Sequence, residues 1–400
     1  MSPPALRVVH TPGWLGGRAI GPTTVFASLF FMVVTCRTLL VSVIPLTALE
    51  HLGTAQAVSV MFFLVSFVGM GTGLLLPGWI LRIRTRRMFH LAAAISAAGA
   101  LIMGIPSLPA FLIGMACWVI STVAFEVCLN LYIMHLIVRR DIALFEPKRV
   151  LFMVTSYAIG PWLGVALQTH LSHWAPFLLT AAMAALTVVY FRFLGLSEAG
   201  ARDRIGKAPR VLGSIRRFAS QPRLRLAWGI SFARSAWWGT FMFYAPIYVV
   251  SNGLGETVAG AVVSAGVAMV YSVPLWSRHM RRHGMRALLM LGFGAGGGIS
   301  IAASLVAGTP WLGVAALLLS GLVIASLDAA GNTPFLRAVR PLEREPMTGV
   351  FSTYRDAAQL LPPAAFSVAL AVLPVQSVFA ILGAMMLCMA RLSRHMSKRL

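Results

Sequence analysis

Long apolar runs alternate with short polar segments along all 400 residues of the chain. A helix that crosses the hydrocarbon core of a bilayer needs about 20 apolar residues. Twelve runs reach or approach that length, so the pattern predicts an all-α membrane protein with twelve transmembrane helices. The predicted spans are 24–47, 57–81, 88–106, 110–138, 149–169, 174–194, 226–250, 257–277, 287–307, 311–336, 347–370 and 374–391.

The polar segments between these spans alternate in charge. The C-terminal tail is basic, as are the segments that follow every second span, at 82–87, 138–149, 195–225, 278–286 and 337–345. No Lys or Arg occurs in the segments on the other side, near 48–56, 106–109, 170–173, 251–256, 308–310 and 371–373. Because positively charged loops stay in the cytoplasm, both termini are predicted to be cytoplasmic. The preference for arginine over lysine favours a GC-rich bacterial genome, and hence a bacterial inner membrane.

The composition supports a membrane protein and argues against other classes. The chain is 58% hydrophobic and 11% charged, whereas a soluble domain carries about 25% charged residues. The formal net charge of +22 could indicate a nucleic-acid partner. The charges lie in short clusters between apolar runs, so we interpret them as membrane-orienting and expect no nucleic acid. Neither a disulfide nor a metal or cofactor is predicted, because the cysteines lie in apolar runs without metal-ligand spacing: Cys36, Cys117, Cys128 and Cys388.

Several features of the chain recur at about half its length. The corresponding residues are Pro45 with Pro246, Glu126 with Asp328, and Asn130 with Asn332. Two halves of six helices in parallel orientation are a known transporter architecture. We therefore predict two six-helix bundles, at 1–195 and 226–400, that are related by pseudo-two-fold symmetry and joined by a basic cytoplasmic linker at 196–225.

The predicted linker contains an amphipathic segment. Four apolar residues would share one face of a helix, namely Val211, Leu212, Ile215 and Phe218, with arginines beside them at 210, 216 and 217. A helix of this kind is typical of a segment that lies on an anionic membrane surface. A solvated basic loop is the alternative interpretation.

At the level of topology, this layout resembles the major facilitator superfamily over essentially the whole chain. The family's loop between the second and third spans usually reads Gly-x-Leu-Ala-Asp-Arg-x-Gly-Arg-Arg. The segment GWILRIRTRR is similar, with Gly78, Arg86 and Arg87 at matching positions. Arginine replaces the usual aspartate here and in the second-half copy at 277–286, so the acidic residue that helps latch one conformation in the family has no counterpart. The resemblance implies a gating role for the three matching residues.

The fifth span carries a second similarity to the family. The segment SYAIGPWLG contains Gly160, Pro161 and Gly164 at the positions of the Gly-Pro-x-x-Gly core found in antiporters of the family. Proline removes a backbone hydrogen bond and bends a helix, and glycines let another helix approach closely. The resemblance implies an exporter, and ordinary helix packing is the alternative. The glycine-rich run at 292–300 lies inside a span, so it predicts close packing rather than a phosphate-binding loop.

Four ionisable residues lie near the middle of predicted spans: Arg37, Glu126, Arg234 and Asp328. Charge at that depth is costly, and functional roles are its usual explanation. In the family, the helices that carry these positions line the central cavity. Glu126 with Asn130, and Asp328 with Asn332, are each four residues apart and would share a helix face. We expect Glu126 or Asp328 to carry a proton, because a poorly hydrated carboxylate can titrate near neutral pH. Pairing with an arginine is the alternative.

The two arginines keep their charge at physiological pH. Arg37 and Arg234 could bind an anionic or carboxylate-bearing substrate through two-point hydrogen bonds, or act as counter-ions of the two acids. Near the start of the eleventh span, Arg355 and Asp356 are predicted to serve a cytoplasmic gate. The aromatic residues after Arg234 could stack on a substrate or pack against neighbouring helices.

Together these features predict a secondary transporter that exports a small organic solute in exchange for protons by alternating access. Uptake by the same machinery is the first alternative. A membrane-embedded enzyme is a remote one, since the loops opposite the basic side hold almost no candidate catalytic groups beyond Glu50, His51, His170, His173 and Glu256. The predicted partners are the lipid bilayer, a small-molecule substrate and protons. The resemblance also implies a monomer.

Overall fold

The computed structural model describes residues 22–136, 142–195, 211–306, 308–340 and 343–395, and their regular structure is entirely helical. The helices of the first half are α1 (Pro22–Thr38), α2 (Val43–Leu52), α3 (Ala55–Ile83), α4 (Thr85–Met103), α5 (Leu108–Leu136), α6 (Ile142–His170) and α7 (Ala175–Phe193). Those of the second half are α8 (Val211–Ala219), α9 (Pro222–Ser251), α10 (Glu256–Ala268), α11 (Val273–His283), α12 (Met285–Leu305), α13 (Pro310–Ala330), α14 (Thr333–Ala338), α15 (Arg344–Ser352), α16 (Tyr354–Ala369) and α17 (Ser377–Ser393).

Each predicted span coincides with one of these helices or with two consecutive ones. Eight segments of the described chain are long and apolar enough to cross a membrane, and α17 is a shorter apolar helix. The all-helical, multi-pass fold is therefore confirmed. The segments at 85–103, 222–251 and 344–369 are not among the eight, so twelve crossings, like the orientation of the termini, stay a prediction.

Several predicted spans are interrupted helices. A turn at 39–42 separates α1 from α2, and a 3₁₀ turn at Met269–Ser272 separates α10 from α11. In the tenth predicted span, the main helix α13 ends at Ala330. Gly331 follows with φ +52°, and α14 begins at Thr333. A residue with a Cβ rarely adopts such a conformation, so glycine allows the chain to leave the helix here. The interruption falls between Asp328 and Asn332, two of the predicted site residues.

The described residues group into two compact units. One contains the described parts of 1–40, 68–160 and 171–206, and we call it unit 1. The other, unit 2, contains 41–67, 161–170 and the described parts of 207–400. Segments of α2, α3 and α6 therefore belong to unit 2 although they precede the predicted linker. The predicted bundle boundaries at 195 and 226 stay a prediction.

Unit 1 has an aromatic core between α4, α5 and α7. The ring of Phe89 stacks on Phe191 with 4.1 Å between centroids and meets Phe125 edge-on at 5.1 Å. Small residues bring α4 and α5 together elsewhere, because a Cβ on Gly114 would lie 2.6 Å from the carbonyl oxygen of Gly99. Such backbone contact is typical of helices that associate in membranes, where burial of apolar surface from water gives no driving force.

Unit 2 contains a similar seam along α12. A Cβ on Gly383 of α17 would lie 2.6 Å from the carbonyl oxygen of Gly297, and one on Gly296 would lie 2.4 Å from Ile324 of α13. The glycine-rich run at 292–300 therefore packs against two helices, as its position in a span predicts. Its small residues allow α13, which carries Asp328, to approach α12 closely.

Helix α8 confirms the predicted helix in part of the linker. Phe218 is buried against the first turns of α9 and against α14 and α15, while Ile215 is 45% exposed. Glu343 pairs with Arg217 and accepts a 3.2 Å hydrogen bond from Gln221. These contacts attach α8 to unit 2. The predicted contact with the membrane surface stays a prediction, and linker residues 196–210 lie outside the described part of the chain.

The attachment of α8 should depend on pH. The hydrogen bond from Gln221 and the Arg217 guanidinium hold the pKa of Glu343 below its usual range. An acid with a lowered pKa stabilises the folded contact above its unfolded pKa of about 4.3, and that stabilisation is lost as pH falls through the folded pKa. We expect Glu343→Gln to speed hydrogen exchange of the 215–219 amides at pH 7 and to have little effect below pH 3, after correction for intrinsic exchange rates.

A matched control for this prediction lies in unit 1, where Glu146 pairs with Arg149 on the same helix. Glu146→Gln removes an exposed ion pair of the same kind and should leave exchange in 215–219 unchanged. Equal exchange of those amides in Glu343→Gln and in the unaltered protein at pH 7 would contradict the proposed attachment.

Candidate functional site

The clearest polar constellation within the predicted spans joins α9 and α13 in unit 2. Asp328 lies 3.6 Å from the Nε of Arg234, and its other carboxylate oxygen accepts a 3.0 Å hydrogen bond from the indole Nε1 of Trp238. The side chain of Asp328 is 27% exposed, and that of Arg234 is 12% exposed. Arg234 also donates a long 3.5 Å bond to the backbone carbonyl of Leu327. The carboxylate thus has one cationic and one neutral donor, and it remains partly accessible.

The packing beneath this constellation explains why the indole of Trp238 is held in place. Trp237 is fully buried, stacks on Phe241 at 5.2 Å and meets Trp238 edge-on at 5.0 Å. Its own Nε1 donates to Ser300 at 3.0 Å, and the Ser300 hydroxyl lies 2.8 Å from that of Ser320. Buried polar groups that are satisfied in this way give a rigid core.

The bond from Trp238 to Asp328 was not predicted from the sequence. The residue was interpreted only as one of several aromatics that could stack on a substrate or pack. A signal for its role was nevertheless present, because Arg234 and Trp238 are four residues apart and so lie on one helix face. Which partner that face meets depends on the rotation of α9, which sequence periodicity does not specify.

The predicted common face of Asp328 and Asn332 is wrong. The i, i+4 argument requires a continuous helix, but α13 ends at Ala330 and Gly331 turns the chain. Asn332 becomes the exposed residue before α14, and its side chain makes no capping hydrogen bond there. The amide is therefore not placed beside the carboxylate by helix geometry.

In unit 1, the corresponding acid has a different setting. Glu126 and Asn130 lie on one face of the continuous helix α5, as predicted, and both are exposed. No ion pair within the described chain joins Glu126 to Arg37. Among the described residues, these four charges form one ion pair with each other, between Arg234 and Asp328 in unit 2.

Arg37 occupies the last turn of α1 and is half-buried. Its Nε is fully buried without a hydrogen-bond partner, and no acid of the described chain lies within ion-pair distance. The negative end of a helix stabilises a cation by about 0.3–1 kcal/mol. Placing an arginine in the middle of a membrane helix costs about 2.5–3.5 kcal/mol. The helix end therefore offsets only part of the cost, and no described acid provides a counter-ion for Arg37.

The Gly-Pro-x-x-Gly residues of α6 lie at close helix contacts. In unit 1, a Cβ on Gly160 would lie 2.4 Å from the hydroxyl oxygen of Thr38. The neighbouring Ser156 hydroxyl lies 2.9 Å from that of Thr38 and 3.0 Å from that of Thr35. Hydroxyls and a glycine therefore hold α6 against the last turn of α1, next to Arg37.

The second part of this motif makes its contacts within unit 2. The backbone N–H of Trp162 donates a 2.9 Å hydrogen bond to the Ser264 hydroxyl of α10. A Cβ on Gly260 would lie 2.9 Å from the Pro161 carbonyl oxygen, so the two backbones are close. Gly164 is buried one turn further along α6. The packing interpretation of this motif is consistent with these contacts, and the implied gating role stays a prediction.

The residues that match the family's loop signature are exposed in the described chain. Gly78 is exposed, and nothing lies within 4 Å of a Cβ placed there. Arg86 and Arg87 are exposed in the first turn of α4, without side-chain bonds to other described residues. Arg355 and Asp356 are exposed at the start of α16, where the arginine lies over the Tyr354 ring at 5.8 Å. Their gating roles stay predictions.

Metal chemistry finds no support in the described chain, where no three His, Cys, Asp or Glu side chains are grouped as metal ligands. The cysteines are unpaired, and Cys36 and Cys128 are buried.

Comparison with known proteins places these features in context. The sequence profile of the Major Facilitator Superfamily matches residues 26–363. The nucleoside transporter NupG has a similar structure, with TM-score 0.72 at 14% identity over 93% of this chain and 98% of that one. The structure of the peptide transporter POT in complex with sulfate has a TM-score of 0.73 at 12% identity, over 94% of this chain and 95% of that one. The structure of a POT family transporter in complex with 5-aminolevulinic acid has a TM-score of 0.72 at 12% identity, over 92% of this chain and 94% of that one. No curated protein sequence matches the chain.

Proposed function

The chain belongs to the major facilitator superfamily and is therefore a secondary transporter, and we propose that it exports a small organic solute in exchange for protons. Within this proposal, the membrane is the bacterial inner membrane, with both termini in the cytoplasm. The alternation of basic loops with loops that contain no Lys or Arg supports that orientation. We further propose that a monomer performs the transport by alternating access.

Proton coupling is supported above all by the setting of Asp328. A coupling carboxylate must exchange a favourable partner for a proton during the cycle, and Arg234 and Trp238 supply such partners here. When Asp328 is ionised, it neutralises the guanidinium. When it is protonated, the guanidinium loses its counter-ion and α9 is free to shift against α13. Of the two predicted proton carriers, we favour Asp328 over the exposed Glu126.

The Gly-Pro-x-x-Gly motif supports export as the direction of transport. Its residues match the family's antiporter sequence, and Gly160 and Pro161 lie at tight contacts between helices. The structurally similar NupG and POT proteins are described as nucleoside and peptide transporters, which supports a small organic solute as the cargo in this proposal. Uptake would use the same machinery with the opposite direction of solute movement.

Comparison of a deletion strain with a strain that overproduces the protein tests this proposal. We expect the overproducer to accumulate at least one solute outside the cell, and the deletion strain to retain it inside and to tolerate it less when it is supplied. A protonophore should abolish the difference. Loss of uptake in the deletion strain would support import instead, and a difference that persists without a proton gradient would contradict proton coupling.

A further inference from the structure

Within the described chain, the guanidinium of Arg37 has neither a counter-ion nor a hydrogen-bond partner for its Nε. We propose that Arg37 binds an oxyanion carried by the transported solute, such as a carboxylate, phosphate or sulfonate group. This inference rests on the proposed transport function and specifies its substrate class. It concerns unit 1 alone and does not depend on which residue carries the proton.

The two halves of the chain provide an internal comparison. Arg234 has Asp328 as its counter-ion at 3.6 Å, so its charge is satisfied when no solute is present. Arg37 is as deep in its predicted span, yet no described acid pairs with it and its Nε is buried without a partner. Removing a charge from water is unfavourable unless an opposite charge accompanies it. An anion supplied from outside the chain would provide that charge.

The polar side chains near Arg37 along α1 and α6 do not act as its hydrogen-bond partners. The hydroxyls of Thr35, Thr38 and Ser156 bond to one another and to backbone carbonyls of α1. They fasten α1 to α6 and leave the guanidinium of Arg37 unbonded within the described chain. Helix α1 therefore holds the arginine in position, while its guanidinium forms no ion pair with a described residue.

The accessible atoms specify how an anion would approach. The Nε of Arg37 is shielded, whereas its two Nη nitrogens are not among the buried unpartnered atoms and have no bond to a described residue. Two parallel N–H groups at the end of a guanidinium match two oxygens of a carboxylate, phosphate or sulfonate. We therefore expect end-on recognition through both Nη atoms, which a lysine cannot reproduce.

Thermal unfolding of the purified full-length protein tests this assignment. Cys36 and Cys128 are buried, so a thiol-reactive dye reports their exposure on unfolding. Sodium acetate, succinate, phosphate and methanesulfonate are each compared with sodium chloride at equal ionic strength. At least one oxyanion should raise the Tm of the unaltered protein by about 2 °C or more, and the most effective one identifies the headgroup class.

Variants separate a specific site from general charge effects. Arg37→Gln should lose the oxyanion-dependent rise, and Arg37→Lys should lose most of it because the two-nitrogen geometry is gone. Arg225→Gln, which removes an exposed arginine at the start of α9, should retain it. The absence of any rise over chloride, or an equal rise in both Arg37 variants, would overturn the proposal. If Arg37→Gln cannot be purified, the Arg37→Lys result decides.

The outcome is distinguishable from failure of the proposed function. Asp328→Asn leaves unit 1 intact, so it should keep the oxyanion-dependent rise in Tm. Export that does not respond to the proton gradient, together with a rise that depends on Arg37, would refute only the proton coupling. Proton-coupled export of a solute without an anionic group would refute only the oxyanion assignment.

Discussion

Replacing Asp328 by asparagine should abolish transport that is driven by a proton gradient. Asparagine keeps the size of the side chain, and its carbonyl oxygen can still accept the hydrogen bond from Trp238. It cannot bind or release a proton, and it cannot neutralise Arg234. In inside-out vesicles supplied with the exported solute, we expect its concentrative accumulation to fall by about 100-fold or more, as for loss of a group essential to the cycle. Exchange of solute down its own gradient should persist and become independent of pH.

A double variant shows whether this loss comes from coupling or from stability. Asp328→Asn leaves a partly buried arginine without its counter-ion, and breaking a buried pair costs about 3–5 kcal/mol, less here because both groups are partly exposed. The double variant Arg234→Gln with Asp328→Asn removes both charges. It should regain thermal stability without regaining proton-driven transport.

A third variant serves as the carboxylate control for this experiment. Glu50→Gln changes an exposed carboxylate at the end of α2 and should behave like the unaltered protein. If the Asp328→Asn protein concentrated solute against its gradient at a normal rate and pH dependence, the proton would have to be carried elsewhere.

A large loss of stability is expected for Gly383→Ala, although the substitution adds only one methyl group. The new Cβ would lie 2.6 Å from the carbonyl oxygen of Gly297 and 3.1 Å from the backbone nitrogen of Ile301. Backbone atoms cannot move aside by changing rotamer, so α12 and α17 must separate. Overpacking of this kind costs about 1–3 kcal/mol, and the separation also weakens contacts along the rest of the seam. We expect a markedly lower unfolding temperature, measured with the same thiol-reactive dye.

The partner helix supplies a matched control for this prediction. Gly298 lies next to Gly297 on α12, but nothing lies within 4 Å of a Cβ placed there. Gly298→Ala should leave the unfolding temperature unchanged or raise it, because alanine favours a helix over glycine by about 1 kcal/mol. A similar loss of stability in both alanine variants would mean that the substitutions act through something other than the contact between α12 and α17.

Comparison of the two halves shows what a repeat in sequence does not reveal. Glu126 and Asp328 occupy equivalent positions along the chain. Among the described residues, Asp328 pairs with Arg234, whereas Glu126 and Arg37 do not pair with each other. Likewise, Asn130 stays on the helix of its acid, whereas Asn332 follows a helix end at Gly331. The equal sequence separation between the paired residues indicates that the two halves share a helix arrangement. The partners of each side chain depend on helix rotation and local breaks, which differ between the halves.

The sequence by itself determined that the protein is helical, multi-pass and a member of a transporter family, because segment length and hydropathy are local properties that the bilayer requires of every span. Only the tertiary structure decided how the charges are used. Trp238 and Asp328 lie 90 positions apart, and their contact arises from the packing of α9 against α13 in unit 2. The same packing provides Arg234 with a counter-ion, whereas Arg37 pairs with no acid among the described residues.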